Sequence, residues 1–398
     1  MAVSAVPPSS RLSDQISLGV IARLLPRPQI EAILQATGKQ SQRQRDLPAH
    51  AVVYYVVALA LWFPSSYREV VRQLLEGLRW LGDRDGSVSI PSKSALSQAR
   101  ARLGAEPLEA LFSAVARPLA QPETKGAWWR GHHLVSIDAT LLDVPDSPVN
   151  RSAFDGPGGA NGQGSYPQVR VLALAETGTH IAFAAALGGY RTSEAALLPA
   201  LLPHLRPGML CLCDRGFWNF SLWRNAAATG AELLWRAPKN LRLERDRVDL
   251  PDGSYLSKIH PSGLHYSQRK GAVTVRVIDY ELEGVIDPEP FYRVITTMLD
   301  PEQAPAAELA ALYAQRWEQE SLFDELKTHL RGARIVLRSK TPDLVRQEIW
   351  GLLLAHFAVR SLMHEAALAM QEDPDRLSFL HAVRVVRRSL PHGAAFPP

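Results

Sequence analysis

The chain has 398 residues, 44 Lys+Arg against 40 Asp+Glu, 46% hydrophobic residues and 21% charged residues. These values are typical of a globular protein of about two or three domains, and they exclude a disordered or fibrous chain. The longest apolar run, residues 51–63, is 13 residues long, short of the roughly 20 that a membrane helix needs. The two cysteines exclude a disulfide scaffold, and no secretory signal is evident at the start. We therefore expect a reduced, cytoplasmic protein with no membrane partner.

The first third of the chain reads as helical and basic. Residues 1–130 carry 16 basic and 10 acidic side chains, a net charge of +6, whereas the whole chain has only +4. Apolar residues at helical spacing predict helices within residues 15–80, with 51–63 as a buried helix. A further helix is expected from the N-cap Ser92 to Gly104, and it carries Lys93 and two arginines. This helix could approach DNA, although a solvated basic face is at least as good an interpretation.

From residue 131 the pattern changes to strands that alternate with helices. Three strands followed by helix, strand, helix and strand indicate an α/β arrangement, and the order resembles a ribonuclease-H-like fold. Residues 240–300 show alternating strand patterns with many charges, which predicts a β-rich insertion. Long helices are expected over about 305–330 and 344–370. The predicted core elements are strands 134–144, 169–176 and 180–187, helix 194–205, strand 209–214, helix 219–229 and strand 233–237.

Two carboxylates follow apolar strand segments. Asp138 and Asp214 are each expected at the end of a strand, where a side chain emerges at the edge of the sheet. A single aspartate in such a place is usually a turn former or a helix cap. Two of them in one α/β domain favour a metal site, because Mg²⁺ prefers oxygen ligands and needs few of them from the protein.

A third group lies within the predicted helix 305–330. Tyr313, Arg316, Glu320 and Lys327 are separated by 3, 4 and 7 residues, so on a straight α-helix they fall within about 60° of one another over about 21 Å. A solvated helix face with an i,i+4 pair between Arg316 and Glu320 is the plainer interpretation. It explains that pair but does not explain Tyr313.

The spacing Tyr, two residues, Arg, three residues, Glu, six residues, Lys resembles the signature of bacterial insertion-sequence DDE transposases of the insertion-element-four family. The segments 137–140 (IDAT) and 213–217 (CDRGF) resemble the two aspartate motifs of that family. Residues 15–115 resemble its N-terminal domain and the segment LRSKTPDLVRQEIWGLLLAHFAVR its C-terminal helices. The resemblance thus covers nearly the whole chain.

The resemblance implies the chemistry and the partners. Asp138, Asp214 and Glu320 are implied as catalytic residues that hold two Mg²⁺ ions, with Mn²⁺ as a substitute, while Tyr313, Arg316 and Lys327 contact DNA phosphates. The implied activity is cut-and-paste DNA transposition, in which the enzyme binds the terminal inverted repeats and performs metal-dependent strand cleavage and strand transfer into target DNA. A homodimer in a synaptic complex on bacterial nucleoid DNA is implied as well.

Cleavage through a DNA hairpin, which the family uses, calls for a flipped base stacked on an aromatic side chain of the insertion. The candidates are Trp235, Tyr280, Phe291 and Tyr292, with a core role as the default for each.

Two alternative functions stay open. One is a catalytically silent or truncated remnant that acts as a DNA-binding inhibitor, since many relatives continue beyond the LPHGAAFPP end of this chain. The other is a host nuclease of ribonuclease-H-like fold, which has no evident need for the N-terminal domain.

The expected domains are a helical DNA-binding domain (1–125), a catalytic core in two parts (126–239 and 301–340), the β-rich insertion (240–300) and a C-terminal helical region (341–398).

Overall fold

The computed structural model describes residues 23–42, 47–63, 65–79, 90–158, 165–238, 241, 243, 247–261, 271–281, 292–332 and 336–389. Phe291 and the C-terminal segment 390–398, both invoked above, lie outside these ranges. The chain divides into two compact units, described separately below. The helical unit comprises Met1–Leu119, Leu142–Val169 and Phe323–Pro398, and the sheet unit comprises Ala120–Leu141 and Arg170–Leu322.

The structure contains both helices and a mixed sheet, which confirms the α/β class expected from the sequence. In chain order the described helices are α1 (Arg27–Ala36), α2 (Ala49–Leu61), α3 (Tyr67–Arg79), α4 (Lys93–Leu103), α5 (Glu106–Val115), α6 (Pro148–Phe154), α7 (Glu194–Leu197), α8 (Phe220–Ala227), α9 (Ala306–Tyr313), α10 (Glu318–Asp324), α11 (Pro342–Met370) and α12 (Phe379–Ser389).

The helical unit is built around α2 and α11. Helix α2 is apolar on all sides and residues 51–61 are buried, as expected for a helix enclosed by other helices. Gly351 of α11 lies against Val56 of α2, and a Cβ at Gly351 would come within 2.8 Å of the Val56 side chain. The absence of a side chain therefore permits this close approach of the two helices.

Helix α4 begins and ends where the sequence predicted. The Ser92 hydroxyl accepts a hydrogen bond from the backbone N–H of Ala95 (3.2 Å), and Gly104 ends the helix with a positive φ of 75°. Arg100, however, is only 2% exposed, so α4 does not present all its cations to solvent. The Arg100 guanidinium stays buried because it is hydrogen-bonded to other side chains of the helical unit.

Helix α11 is long and apolar enough to cross a membrane when judged by length and composition alone, although no uninterrupted apolar run of that length occurs in the sequence. It has 29 residues and a mean hydropathy of 1.2 in its most apolar window, of which 72% is buried inside the protein. A core helix passes the same test, and α11 packs as one.

The strands that the structure describes form one mixed sheet. They are β1 (Trp128–Trp129), β2 (His132–Asp143), β3 (Gln168–Glu176), β4 (Ile181–Gly189), β5 (Met209–Cys213), β6 (Glu232–Arg236), β7 (Val248–Asp249), β8 (Tyr255–Ile259), β9 (Val273–Tyr280) and β10 (Tyr292–Thr296). Their order is β4-β3-β2-β5-β6-β10-β9-β8-β7, with β1 beside β2. Strands β2, β5 and β6 are parallel neighbours.

The strands expected within residues 240–300 are present, and they extend the core sheet. Strands β7 to β10 pair antiparallel with one another, and β10 pairs antiparallel with β6. The backbone of the insertion is thereby hydrogen-bonded to the strands that carry the central part of the fold.

Strand β5 lies at the centre of the sheet and is fully buried. Cys211 and Cys213 belong to one apolar cluster, while Leu210 and Leu212 belong to the cluster on the other face. Because both faces are covered, the strand reads as a continuous apolar run instead of an alternating one. The two cysteines are free thiols of the core.

Two helix predictions need correction. Residues 194–205 are α-helical only at Glu194–Leu197 and continue as two 3₁₀ turns. Pro199 and Pro203 cause this change, because neither has the N–H that an α-helix needs.

The predicted straight helix over 305–330 is likewise interrupted. A 3₁₀ turn (Ala314–Trp317) separates α9 from α10, and a π-helical turn (Glu325–Leu330) follows α10. These turns keep the backbone hydrogen-bonded but change the directions of the side chains. The contacts that the side chains make therefore decide which helix type forms.

Candidate active site

Asp138 and Asp214 lie at corresponding positions of two neighbouring parallel strands. The last pair in the register of β2 and β5 is Ile137 with Cys213, and each aspartate follows directly. The expectation that Asp138 ends its strand is wrong, because β2 continues to Asp143. Only its pairing with β5 ends there. The two carboxylates therefore emerge side by side at the edge where β5 stops.

Tyr313 and Arg316 reach the two aspartate positions from the end of α9 and the 3₁₀ turn. The Tyr313 hydroxyl donates a hydrogen bond to the Cys213 carbonyl (3.2 Å), next to Asp214. The Arg316 guanidinium donates to Asp138 Oδ2 at 3.3 Å. Both side chains are buried, at 5% and 6% exposure respectively. One aromatic hydroxyl and one cation are thus fixed against the two aspartate positions.

The electrostatics of the site bring Glu320 together with the two aspartates. Burial raises the pKa of Asp138, and the nearby charge of Asp214 raises it further. The Glu320 side chain as a whole is exposed, but partial desolvation of its carboxylate raises its pKa, and repulsion by Asp138 and Asp214 adds to this while Arg316 opposes it. The three acidic residues therefore repel one another across a small region.

Arg316 is the cation that offsets this repulsion. Burial alone would lower its pKa, but the attraction of Tyr313, Asp214, Asp138 and Glu320 raises it instead. The guanidinium therefore stays charged within the acidic group.

The site has the donor chemistry of a divalent-metal site, although its ligand atoms are not gathered tightly. Carboxylate oxygens are the ligands that Mg²⁺ and Mn²⁺ prefer. The oxygens of Asp138, Asp214 and Glu320, all in the described part of the chain, are not all within 4.8 Å of one another. Glu320 is exposed, so its side chain is free to adjust. The residues present fit a divalent ion.

Lys327, the fourth member of the predicted helix face, belongs to the helical unit and lies in the π-helical turn. It is half-buried, and burial together with the nearby Arg331 lowers the pKa of its ammonium group. Asp143 and Asp324 of the same unit act in the opposite direction. The expectation of a single straight face through all four residues is therefore wrong in its geometry, because the backbone changes helix type between them.

The structure adds a residue that sequence reasoning missed. Burial raises the pKa of Glu194 at the start of α7, and the charges of Asp138 and Asp214 raise it further. Glu194 is paired with Arg170 of β3 at 2.6 Å. A Cβ on Gly216, two residues after Asp214, would lie 3.3 Å from the Glu194 carboxylate. The available signal was Arg170 itself, a charged residue within the apolar run 169–175 of β3.

The aromatic candidates for base stacking have different surroundings. Trp235 is fully buried and packs edge-on against Trp223 with ring centroids 5.3 Å apart, so the default core role applies to it. Tyr280 and Tyr292 are cross-strand partners of β9 and β10 whose rings stack at 5.7 Å. Arg236 lies over the Tyr292 ring at 4.6 Å.

The tyrosine pair lies close enough to the site for an electrostatic influence. Burial raises the pKa of Tyr280 to about 12, while Arg236 and, from the site, Arg316 act to lower it. An aromatic platform flanked by cations therefore adjoins the acidic group.

Comparison with known proteins agrees with this fold. Residues 15–113 match the family described as insertion element 4 transposase N-terminal, and residues 129–358 match the transposase DDE domain. The chain is 30% identical over 366 residues to the transposase InsG for insertion sequence element IS4 of Escherichia coli K12, which covers 91% of this chain and 80% of that protein.

Among solved structures, the piggyBac transposase synaptic complex with hairpin DNA aligns with a TM-score of 0.46 and 11% identity. That alignment covers 96% of this chain and 78% of the other.

The chain therefore belongs to the insertion-element-4 family of DDE transposases, whose central domain has a ribonuclease-H-like core. Members of this class are DNA-cleaving and DNA-joining enzymes that use divalent metal ions. The family resemblance, the fold class and the enzyme class expected from the sequence are thus confirmed.

Proposed function

We propose that Asp138, Asp214 and Glu320 are the metal ligands of this transposase and that Mg²⁺ is the ion they hold. The observation that carries this proposal is the shared register of the two aspartates, together with the raised pKa of Asp138 and Glu320, which burial causes first and mutual repulsion increases. Such repulsion is relieved when a divalent cation binds. Bound ions supply polarisation of the scissile phosphodiester and activation of the attacking hydroxyl.

The remaining side chains position this chemistry. Arg316 holds Asp138 in place, and its positive charge is suited to attract a phosphate beside the scissile bond. Tyr313 fixes the backbone before Asp214 and offers its hydroxyl edge to the same region. Lys327 is the third expected phosphate contact. Its lowered pKa follows from burial, and a DNA phosphate would favour its charged form.

The proposed substrate is double-stranded DNA that carries the terminal inverted repeats of the element, followed by target DNA. A homodimer is proposed as the working unit, because two ends must be held together for joint transfer. We place the reaction in the bacterial cytoplasm, on nucleoid DNA, and assign end recognition to residues 1–125. The core is proposed to comprise 126–239 and 301–340, around the insertion (240–300) and before the helical region (341–398).

For the flipped base of a hairpin intermediate, we propose the Tyr280–Tyr292 platform. Stacking on an aromatic ring contributes about 1–3 kcal/mol per base. Tyr292→Ala should leave the first strand nick intact and slow the second, hairpin-forming step. Tyr292→Phe is the matched control and should behave like the wild type, because it keeps the ring.

An end-cleavage assay tests the proposed ligands. A labelled duplex that ends in the inverted repeat is incubated with the purified chain and Mg²⁺. Asp138→Asn, Asp214→Asn and Glu320→Gln should each abolish cleavage and keep DNA binding. Glu302→Gln, an exposed carboxylate outside the site, is the matched control and should cleave normally. Cleavage by any of the three site variants contradicts the ligand assignment, and a wild type that binds ends without cleaving them favours the inhibitor alternative.

A further inference from the structure

The helical unit contains a cavity of about 580 Å³ whose lining includes none of the three proposed metal ligands. Apart from Leu344, its lining consists of side chains that donate hydrogen bonds. Five are basic and five carry a hydroxyl group, and no carboxylate lines it. The lining residues are Ser66, Tyr67, Arg68, Lys93, Ser97, Arg100, Arg338, Ser339, Lys340, Thr341 and Leu344.

Three helices begin at this cavity. Helix α3 starts at Tyr67, α4 starts at Lys93 and α11 starts at Pro342, directly after Thr341. Each helix has more than ten residues, and the N-terminus of a helix carries a partial positive charge and free backbone N–H groups. The three helix ends and the five basic side chains therefore add positive potential in the same place.

The cations in the wall are held rigidly. Arg100 is 2% exposed and donates to Gln347 Oε1 at 2.8 Å, the Tyr67 hydroxyl at 2.9 Å and Ser339 Oγ at 3.0 Å. Arg338 donates to the carbonyl oxygens of Ser65 and Leu59 at 2.6 and 3.1 Å. These arginines shape the wall because their hydrogen bonds are already directed at protein groups.

The carboxylates near the wall are already engaged, including Glu69 and Asp343 in the first turns of α3 and α11. Glu348 is 6% exposed and accepts hydrogen bonds from the backbone N–H groups of Arg338 and Ser339 and from the Ser339 hydroxyl. Burial lowers the pKa of Arg338, and Glu348 counteracts this. Glu348 thus lies next to Arg338, while the exposed side chains Arg68, Lys93 and Lys340 are available at the rim.

We infer that this cavity binds the phosphodiester backbone of DNA. The inference rests on the proposed function and deepens it, because it assigns a DNA contact to a defined place in the helical unit. Cationic rims with hydroxyl and backbone donors are the usual partners of DNA phosphates. Six of the lining residues fall within the segment that matches the transposase N-terminal family, which also carries the excess positive charge of the chain.

The test measures binding of a fluorescent inverted-repeat duplex across a range of salt concentrations. The variant Lys93→Gln/Lys340→Gln removes two rim charges and leaves the buried arginines in place. Each lost phosphate contact lowers the slope of log affinity against log salt by roughly 0.9, so the double variant should lose roughly 1.8. Arg117→Gln, also exposed and in the same unit, is the control and should keep the wild-type affinity and slope.

A second arm separates DNA from a free anion. A series of duplexes is prepared in which one neutral methylphosphonate replaces a different phosphate each time. The replacement that weakens DNA binding by the wild type should have no further effect on binding by the double variant. Inorganic phosphate is tested in parallel by thermal shift at constant ionic strength. The inference is overturned if the double variant binds DNA like Arg117→Gln. This holds even if inorganic phosphate stabilises only the chains that keep Lys93 and Lys340, because the cavity would then bind a free anion and not DNA. A wild type that binds no inverted-repeat duplex contradicts the proposed function instead.

Discussion

Asp138 and Asp214 directly follow Ile137 and Cys213, which form the last residue pair in the register of β2 and β5. Because β2 and β5 run parallel, this register places the two aspartates beside each other where the pairing of the strands ends. The core strands are buried, which fixes the register, because a slip by one residue would turn each aspartate toward the opposite face. The acidic pair is therefore as rigid as the sheet itself.

The first prediction concerns the effect of pH on stability. The folded pKa of Glu320 is raised, mainly by burial, so the folded chain holds this proton more tightly than the unfolded chain. Its contribution to stability is present at low pH and is lost as pH rises through the folded pKa. In EDTA, Glu320→Gln should therefore gain stability relative to the wild type as the pH rises above about 4. Urea unfolding at several pH values measures this difference, and Glu302→Gln should show no such trend.

The second prediction concerns Arg316. Because Arg316 lowers the pKa of both Asp138 and Glu320, its removal should raise both values further. At limiting Mg²⁺, Arg316→Met should then cleave ends more slowly, and its activity should fall away at a higher pH than that of the wild type. The pH profile of end cleavage tests this. An unshifted acidic limb would mean that Arg316 acts only on the DNA and not on the carboxylates.

The third prediction separates Glu194 from the proposed ligands. Glu194 is paired with Arg170 and adds negative potential at the two aspartates, although it is not part of the β2–β5 strand pair. Glu194→Gln should raise the Mg²⁺ concentration for half-maximal cleavage by about tenfold, as surrounding residues of metal sites typically do. Its maximal rate should survive at saturating Mg²⁺, whereas Asp214→Asn should stay inactive at every concentration. A Glu194→Gln variant that saturating Mg²⁺ does not restore would show that Glu194 is itself required for the chemistry.

The fourth prediction concerns how the insertion supports the site. Arg276 of β9 is fully buried, bonds the Ser254 hydroxyl at 2.7 Å and pairs with Asp252. Asp252 in turn accepts from the backbone N–H of Ala306, the first residue of α9 (2.8 Å).

Arg276→Met leaves Asp252 without its cation and should cost about 3 kcal/mol of unfolding free energy. Urea denaturation measures this loss. Arg224→Met, on the exposed side of α8, should change stability by less than about 0.5 kcal/mol. Equal stabilities of the two variants would show that the buried pair does not anchor α9.

The sequence was sufficient to predict that Asp138 and Asp214 follow apolar strand segments, but not that β2 continues past Asp138 to Asp143. It was not sufficient for the helix that carries Arg316 and Glu320. A spacing of 3, 4 and 7 residues is the same whether the backbone forms α, 3₁₀ or π turns, and the side-chain contacts with β2 and β5 decide among them.

Glu194 and Arg100 show a second limit. The acidic role of Glu194 depends on the strands that lie beside α7, and the burial of Arg100 depends on Gln347, 247 residues away. Local periodicity contains no information about either partner, so the sequence suggested a DNA-facing side chain where the structure has a buried one.

The most direct test of the central claim is the binding of Mn²⁺, measured by electron paramagnetic resonance on the chain bound to a precleaved inverted-repeat duplex. The wild type and Glu302→Gln should bind Mn²⁺, and Mg²⁺ should compete with it for the site. The double variant Asp138→Asn/Asp214→Asn should bind no Mn²⁺ at the same concentration. Undiminished Mn²⁺ binding by the double variant would contradict the assignment of Asp138 and Asp214 as metal ligands.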